Sequence, residues 1–197
     1  MIKVLCYGDS NTYGYKPFDE RHEIRYPLVL RHKLGSSYMV YEEGLNGRTS
    51  IYNARFEERI GINTVDDVFL KYDSIDLLVF MLGTNDLKIT NARTIEEYFN
   101  GLDLLLSRIV ELKRIKKLLL VSPIFIKEKT AFPDFDEKSA ELSKRSIHVY
   151  NRLAQKYHAN LIDAALICSP GMDGVHLSLE DHIKLGLKLA DYISNME

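Results

Sequence analysis

Five short apolar segments alternate along the chain with longer segments whose apolar residues recur at helical spacing. The apolar segments are Lys3–Tyr7, Tyr38–Tyr41, Leu77–Met81, Leu118–Val121 and Asn160–Ile162. Strands that alternate with helices form a parallel sheet covered by helices on both faces. The pattern therefore predicts an α/β fold with five parallel strands.

The intervening segments carry helix start and stop signals. Pro27 begins a first helix and Gly35 follows its end, the usual placement of these two residues. Thr94 and Glu97 have capping-box spacing and open a long amphipathic helix. The remaining helices are predicted over Thr64–Lys71, over Glu137–Lys156, and from Ser178 onward with Asp181 at the capping-box position.

Length and charge limit the classes of function. The 197 residues fit one domain, and because no repeat or linker divides them we expect residues 1–197 to form a single domain. With 26 basic and 28 acidic residues the formal charge is -2, so there is no electrostatic basis for binding nucleic acid or an anionic membrane. The longest wholly apolar run, Leu77–Leu82, is far below the roughly 18 residues of a membrane-spanning helix.

The two cysteines bear on the cellular compartment. Cys6 lies inside the first predicted strand and Cys168 is far away in sequence, so we expect two small buried hydrophobic residues and no disulfide. No secretory segment precedes the first strand. Both features predict a reducing, cytoplasmic setting.

Polar residues follow four of the five predicted strands. Ser10 follows the first, Gly47 the second, Asn85 the third, and Asp173 and His176 the fifth. The carboxyl ends of parallel strands meet at one edge of the sheet, where open α/β folds bind their ligands. We therefore expect these residues to share one cleft.

Together these residue types suit acyl transfer. Ser10 is the candidate nucleophile, His176 the base that takes its proton, and Asp173 the carboxylate that orients the imidazole. The candidate oxyanion donors are the backbone N–H groups of Ser10 and Gly47 and the side-chain amide of Asn85.

Two other readings of these residues are possible. A metal hydrolase would use Asp173, His176 and His182, but their spacing matches no common zinc signature. A nucleotide-binding module would suit the fold, but the first loop has neither the Gly-x-Gly-x-x-Gly pattern nor a Walker lysine. We predict a hydrolase that needs no metal or other cofactor.

Four short blocks carry a resemblance to a known family. The blocks Gly8-Asp9-Ser10, Gly44 to Thr49, Gly83 to Asp86, and Asp173 to His176 resemble, in this order, those of the GDSL-type esterases of the SGNH hydrolase superfamily. The second and third blocks are most similar to the arylesterase and acyltransferase branch. Asn11 stands where the family's nickname has Leu, and either Gly44 or Gly47 fits the second block, with Gly47 preferred.

The resemblance implies a fold and an activity. The fold is a flavodoxin-like, three-layer α/β/α arrangement with a five-stranded parallel sheet. The activity is that of a serine ester hydrolase that forms an acyl-enzyme, with acyl transfer as a further possibility and lysophospholipase or thioesterase activity as alternatives. The family's functional Ser, Gly, Asn, Asp and His map to Ser10, Gly47, Asn85, Asp173 and His176.

The substrate is less defined by the sequence. A short chain without a large lid domain favours small acyl groups such as acetyl, in a small-molecule ester. A homo-oligomer is possible, as for similar proteins. The segment 124–136 is long for a connection, and such loops often line or cover sites. The candidate substrate contacts are Asp9, Asn11, Tyr13, Arg48 and Phe125. An aromatic wall could be built by Tyr13, Tyr15, Phe125, Phe132 and Phe135.

Overall fold

The five apolar segments form the five strands of one parallel sheet. The computed structural model describes residues 1–16 and 20–196. In chain order the elements are β1 (Ile2–Gly8), α1 (Ser10–Tyr13), β2 (Tyr15–Lys16), β3 (Glu20–Arg21), α2 (Tyr26–Leu34), β4 (Tyr38–Gly44), α3 (Gly61–Phe69), β5 (Ile75–Met81), α4 (Ile95–Glu111), β6 (Ile115–Ser122), α5 (Glu137–Lys144), α6 (Ser146–Tyr157), β7 (Asn160–Asp163) and α7 (Leu179–Ser194).

The large sheet has the strand order β4-β1-β5-β6-β7, and every neighbouring pair in it is parallel. This is the flavodoxin-like order, and it confirms the predicted fold class. The chain runs from β1 to β4 on one side and then crosses over to β5 on the other side of β1. In the register Gly8 pairs with Gly44 and with Met81, so three strands end level with one another at the edge expected to hold the site.

Strands buried on both faces separate two apolar cores. Along β1, Val4 and Cys6 face one core while Leu5 and Tyr7 face the other, as the two-residue period of a strand requires. The first core is closed by α2 and α7, and the second by α3, α4 and α6. Both cysteines are free and buried in the first core, as predicted.

Two helix boundaries differ from the sequence prediction. The segment Glu137–Lys156 is two helices that break at Arg145. The Ser143 hydroxyl, in the last turn of α5, donates back to the Ala140 carbonyl and accepts the Ile126 N–H, and such local bonds compete with helix continuation. The short helix starts at Gly61 instead of Thr64, because the Gly61 N–H bonds the Thr49 carbonyl.

Three further features complete the fold. The strand β4 extends to Gly44, beyond the predicted Tyr41. The strands β2 and β3 form a small antiparallel hairpin that the apolar pattern did not predict. No helix within residues 1–16 and 20–196 is both long and apolar enough to cross a membrane.

Candidate active site

Ser10 is the first residue of α1, directly after the end of β1. Asp9 caps the helix by accepting the Asn11 N–H at 2.9 Å, which fixes the turn. Glycine is required at position 8, since a Cβ there would lie 2.1 Å from the Thr12 hydroxyl and 2.2 Å from the Met81 carbonyl oxygen. The strand therefore turns sharply into the helix and presents Ser10 at the sheet edge.

The structure brings Ser10, His176 and Asp173 together. Nε2 of His176 lies 2.9 Å from Oγ of Ser10, and its Nδ1 lies 2.8 Å from Oδ2 of Asp173. Both distances are those of hydrogen bonds. The three residues form one continuous chain from hydroxyl to carboxylate, which is the arrangement the sequence predicts.

Asp173 is held as a carboxylate by its own turn. Its Oδ1 accepts the backbone N–H groups of Val175 and His176, each at 2.9 Å. Burial opposes ionisation of this half-buried group, but the hydrogen bonds from the His176 ring and from the two N–H groups outweigh it and hold the pKa of Asp173 below its ordinary value. A carboxylate can only accept, so the proton lies on Nδ1 of His176, and Nε2 is free to accept from Ser10.

Asn11 joins the serine to the histidine loop. It is 1% exposed; its Oδ1 accepts the Leu177 N–H at 2.8 Å and its Nδ2 donates to the Val175 carbonyl at 3.4 Å. Val175 and Leu177, the neighbours of His176 in the chain, are thus both bonded to Asn11, the neighbour of Ser10. Asn11 is a predicted substrate contact; in the structure its amide bonds the histidine loop, and Asn11 is not among the residues that line the cleft beside Ser10.

The predicted oxyanion donors line the same cleft. Gly47 has φ of +74°, a backbone conformation that favours glycine. The Asn85 amide donates one hydrogen to the Arg48 carbonyl at 3.1 Å, and its second hydrogen is not used in that bond. Gly44 is different: a Cβ there would lie 2.2 Å from the Tyr13 nitrogen, so this glycine allows β4 to pack against α1. Among the two glycines only Gly47 lines the cleft.

The cleft beside Ser10 is open and has a volume of about 220 Å³. The rings of Tyr15 and Phe132 lie 4.3 and 5.3 Å from the His176 ring, centroid to centroid. Of the five residues predicted to build an aromatic wall, these two and Phe135 line the cleft, while Tyr13 and Phe125 do not. The segment 124–136 supplies two of them and is tied to the Asp173 loop by the bonds from the Lys127 N–H to the Gly174 carbonyl and from the Ala131 N–H to the Asp173 carbonyl.

The other four predicted substrate contacts, like Asn11, do not line this cleft. Asp9 is buried, and burial raises the pKa of its carboxyl against the Asn11 N–H bond. Arg48 is 3% exposed and donates to the carbonyls of Gly8 and Glu43. The Tyr13 ring is covered by the Arg21 guanidinium at 4.4 Å. Phe125 is partly buried and is not among the residues that line the cleft.

The cleft also has residues that the sequence reasoning missed. Asn46 belongs to the second block, and its position beside Gly47 was a usable signal. Arg59, Lys88 and Asp134 lie beyond the sequence blocks, and no spacing connects them with the site. All four residues line the cleft.

A buried carboxyl follows Asn85 directly in the chain. Asp86 is fully buried, and its Oδ1 accepts the Ser50 N–H at 2.7 Å. Burial raises its pKa to about 7, opposed by the bonds from Ser50. Within the described residues its Oδ2 has no hydrogen-bond partner.

His182 does not join the triad. Its Nδ1 lies 3.4 Å from the Tyr26 nitrogen, whose N–H it accepts, and burial together with His22 lowers its pKa to about 3. It is therefore a neutral core residue. No group of three or more His, Cys, Asp and Glu side chains in the described ranges is arranged to hold a metal ion.

A larger groove, of about 880 Å³, lies at the opposite edge of the sheet. It is lined by the first residues of β6 and β7 and the end of α7, and contains none of the predicted site residues. The chemistry is therefore assigned to the smaller cleft beside Ser10.

Comparison with known proteins agrees with this geometry. The model of the GDSL-like lipase/acylhydrolase family matches residues 6–183, and no curated protein sequence matches the chain. An aryl esterase of M. smegmatis is 27% identical with a TM-score of 0.91, over 100% of both chains. Est24, a carbohydrate acetylesterase from Sinorhizobium meliloti, is 30% identical with a TM-score of 0.90, over 98% of this chain and 99% of its own. A second carbohydrate acetylesterase family member from that organism is 33% identical with a TM-score of 0.86, over 98% and 97%.

Proposed function

We propose a serine-based mechanism for this chain, which belongs to the GDSL-like lipase/acylhydrolase family and is a carboxylic ester hydrolase. The observation that carries the proposal is the bonded chain from Ser10 Oγ through the His176 ring to Asp173. His176 Nε2 takes the Ser10 proton as Oγ attacks the ester carbonyl, and then gives it to the leaving alkoxide. Water then attacks the acyl-enzyme. His176 Nε2 takes a proton from this water and returns it to Ser10 Oγ as the acid leaves.

The negative charge that forms on the carbonyl oxygen needs donors already in position. The Ser10 and Gly47 N–H groups and the Asn85 amide are proposed for this task. The first position of a helix supports Ser10, because an N–H there has no partner within the helix. The bond to the Arg48 carbonyl supports Asn85, because it holds the amide in one orientation.

Small acyl groups such as acetyl fit the cleft best. Its volume of about 220 Å³ is below the roughly 300 Å³ at which pockets for drug-sized ligands begin. Two of the similar structures are named as carbohydrate acetylesterases and one as an aryl esterase, which supports acetyl esters of sugars or phenols. Lysophospholipase activity is disfavoured because a long acyl chain exceeds a cleft of about 220 Å³.

Two measurements test this proposal. A fluorophosphonate should add one covalent label at Ser10, and Ser10→Ala should lose both the label and the hydrolysis of 4-nitrophenyl acetate. A series of 4-nitrophenyl esters should show the highest kcat/KM at two to three acyl carbons and a decline by eight. Full activity of Ser10→Ala, or a label at another residue, would refute the mechanism. A kcat/KM that rises with acyl length up to eight carbons would refute the preference for short acyl groups alone.

Further expectations stay predictions. Acyl transfer is measured by the ratio of ester to acid formed when an alcohol is added. A reducing, cytoplasmic setting is supported by the two free buried thiols, Cys6 and Cys168. We also propose that residues 1–197 form one domain. We further propose a homo-oligomer, and sedimentation of the purified protein measures its oligomeric state.

A further inference from the structure

An arginine side chain lies beside the proposed oxyanion hole and has no carboxylate partner within residues 1–16 and 20–196. Arg59 lines the cleft with Gly47 and Asn85. A Cβ on Gly47 would lie 3.3 Å from Nη1 of Arg59, and since a Cα–Cβ bond is about 1.5 Å long, the guanidinium reaches to within about 5 Å of the Gly47 Cα. Among the described residues no acidic side chain forms an ion pair with it.

The backbone holds Arg59 in this place. It ends a short 3₁₀ turn over Glu57–Arg59. Its N–H donates to the Phe56 carbonyl and its own carbonyl accepts the Thr49 N–H, each at 3.0 Å. Thr49 follows Gly47 by two residues, so the position of Arg59 is coupled to the glycine that it faces. The Phe56 ring lies under the guanidinium at 4.8 Å.

Among the residues that the structure describes, the other charges of the cleft are compensated. Lys88 and Asp134 both line it and form an ion pair with each other at 3.1 Å. Asp173 is bonded to His176, on the far side of the ring from Ser10. The cationic Arg59 is therefore the charge that a ligand in the cleft would meet.

We propose that Arg59 forms an anion subsite and that the natural substrate is a small ester carrying a carboxylate close to the scissile bond. A guanidinium binds a carboxylate with two parallel hydrogen bonds. In a cleft of about 220 Å³ there is room for a small carboxylate-bearing group. The inference rests on the proposed function and specifies its substrate class; the carboxylate belongs either to the acyl or to the alcohol part.

Matched ester pairs distinguish these two sources. On the alcohol side, 3-acetoxybenzoate is compared with its methyl ester. On the acyl side, 4-nitrophenyl hydrogen succinate is compared with 4-nitrophenyl methyl succinate, after subtraction of the enzyme-free rate. The wild type should favour the charged member of one pair, and this preference should decrease as salt is raised.

Arg59→Gln should raise KM for the favoured charged ester by roughly 10- to 100-fold, the range for a hydrogen bond to a charged group. The neutral ester should stay within about threefold, and Arg59→Lys should recover part of the loss. Arg55→Gln is the matched control, since Arg55 also lies over the Phe56 ring, at 5.2 Å, but does not line the cleft. Its kcat/KM should stay within about threefold for both esters.

A binding measurement makes the test independent of turnover. Titration calorimetry with 3-hydroxybenzoate and with succinate should show that at least one of them binds the wild type at least tenfold more tightly than it binds Arg59→Gln. Equal binding, or equal loss on the charged and neutral esters, would overturn the anion subsite. If the neutral esters are still cleaved in a Ser10-dependent reaction, the esterase mechanism stands and only the substrate class falls.

Discussion

Asn11→Leu is the sharpest test of what holds Ser10 and His176 at hydrogen-bonding distance. Asn11 is next to Ser10 in sequence and bonds the backbone of Leu177 and of Val175, the two neighbours of His176. Leucine has the same branching but no polar atoms. The substitution therefore removes the connection between the two loops while the three triad residues themselves stay unchanged.

The expected loss follows from the two bonds. Each buried backbone group left without a partner costs about 1 to 3 kcal/mol; because the Val175 contact, at 3.4 Å, is the weaker, we expect a decrease of about 2 to 4 kcal/mol in the free energy of unfolding. A displacement of the imidazole by about 1 Å reduces the rate by about 100-fold. We expect that reduction in kcat, with little change in KM.

Three measurements check this expectation: urea unfolding, kcat and KM with 4-nitrophenyl acetate, and the rate of fluorophosphonate labelling at Ser10. Thr12→Val is the matched control, because Thr12 lies on the same short helix but its hydroxyl bonds Tyr26 at 3.0 Å. The control should lose stability and keep kcat within about threefold. An Asn11→Leu protein that is destabilised but has normal kcat, or a control with an equal loss of kcat, would refute the positioning role.

Two further changes test the cleft. Asn85→Ala should lower kcat on 4-nitrophenyl acetate by about 100- to 1,000-fold, the usual effect of losing one oxyanion donor, and a loss below tenfold would exclude its side chain from that task. Asp86→Asn should change how stability depends on pH. The folded-state pKa of Asp86 is raised from 3.8 to about 7, so as pH rises from 4 to 7 the unfolded chain ionises first and the wild type loses up to ~4 kcal/mol from this group. The variant keeps the acceptor for the Ser50 N–H, so the difference between its unfolding free energy and that of the wild type should grow through this window and level off above it; a constant difference in urea titrations would refute the raised pKa.

The sequence predicts the site where functional residues lie in the loops that follow the strands. Ser10 comes two residues after β1 and Asn85 four residues after β5, while Asp173 and His176 come ten and thirteen residues after β7. Strand order brings these loops to one edge of the sheet. The choice between Gly44 and Gly47 was harder, because both are glycines of one block. Steric contact separates them: Gly44 packs against the backbone of Tyr13.

Side chains that act through distant contacts were not predictable. Arg59 reaches the cleft because its backbone pairs with Thr49, ten residues earlier in the chain, beside the bridge from Thr49 to Ile60. No periodicity or spacing encodes that pairing. The break at Arg145 has the same origin, since Ser143 bonds the Ile126 N–H across the fold, and the apolar pattern of the two helices is continuous.

Arg48 shows why a charged residue in a site block need not contact substrate. Its side chain donates to the carbonyls of Gly8 and Glu43, at the ends of two neighbouring strands, and its guanidinium lies 4.2 Å from the centre of the Tyr7 ring. Its own carbonyl accepts the amide of Asn85, from the loop after a third strand. One buried residue thus fixes three strand ends relative to one another. Donors for an oxyanion are effective only when they are rigid before the charge appears, so this use of Arg48 favours the proposed chemistry more than a direct contact with substrate would.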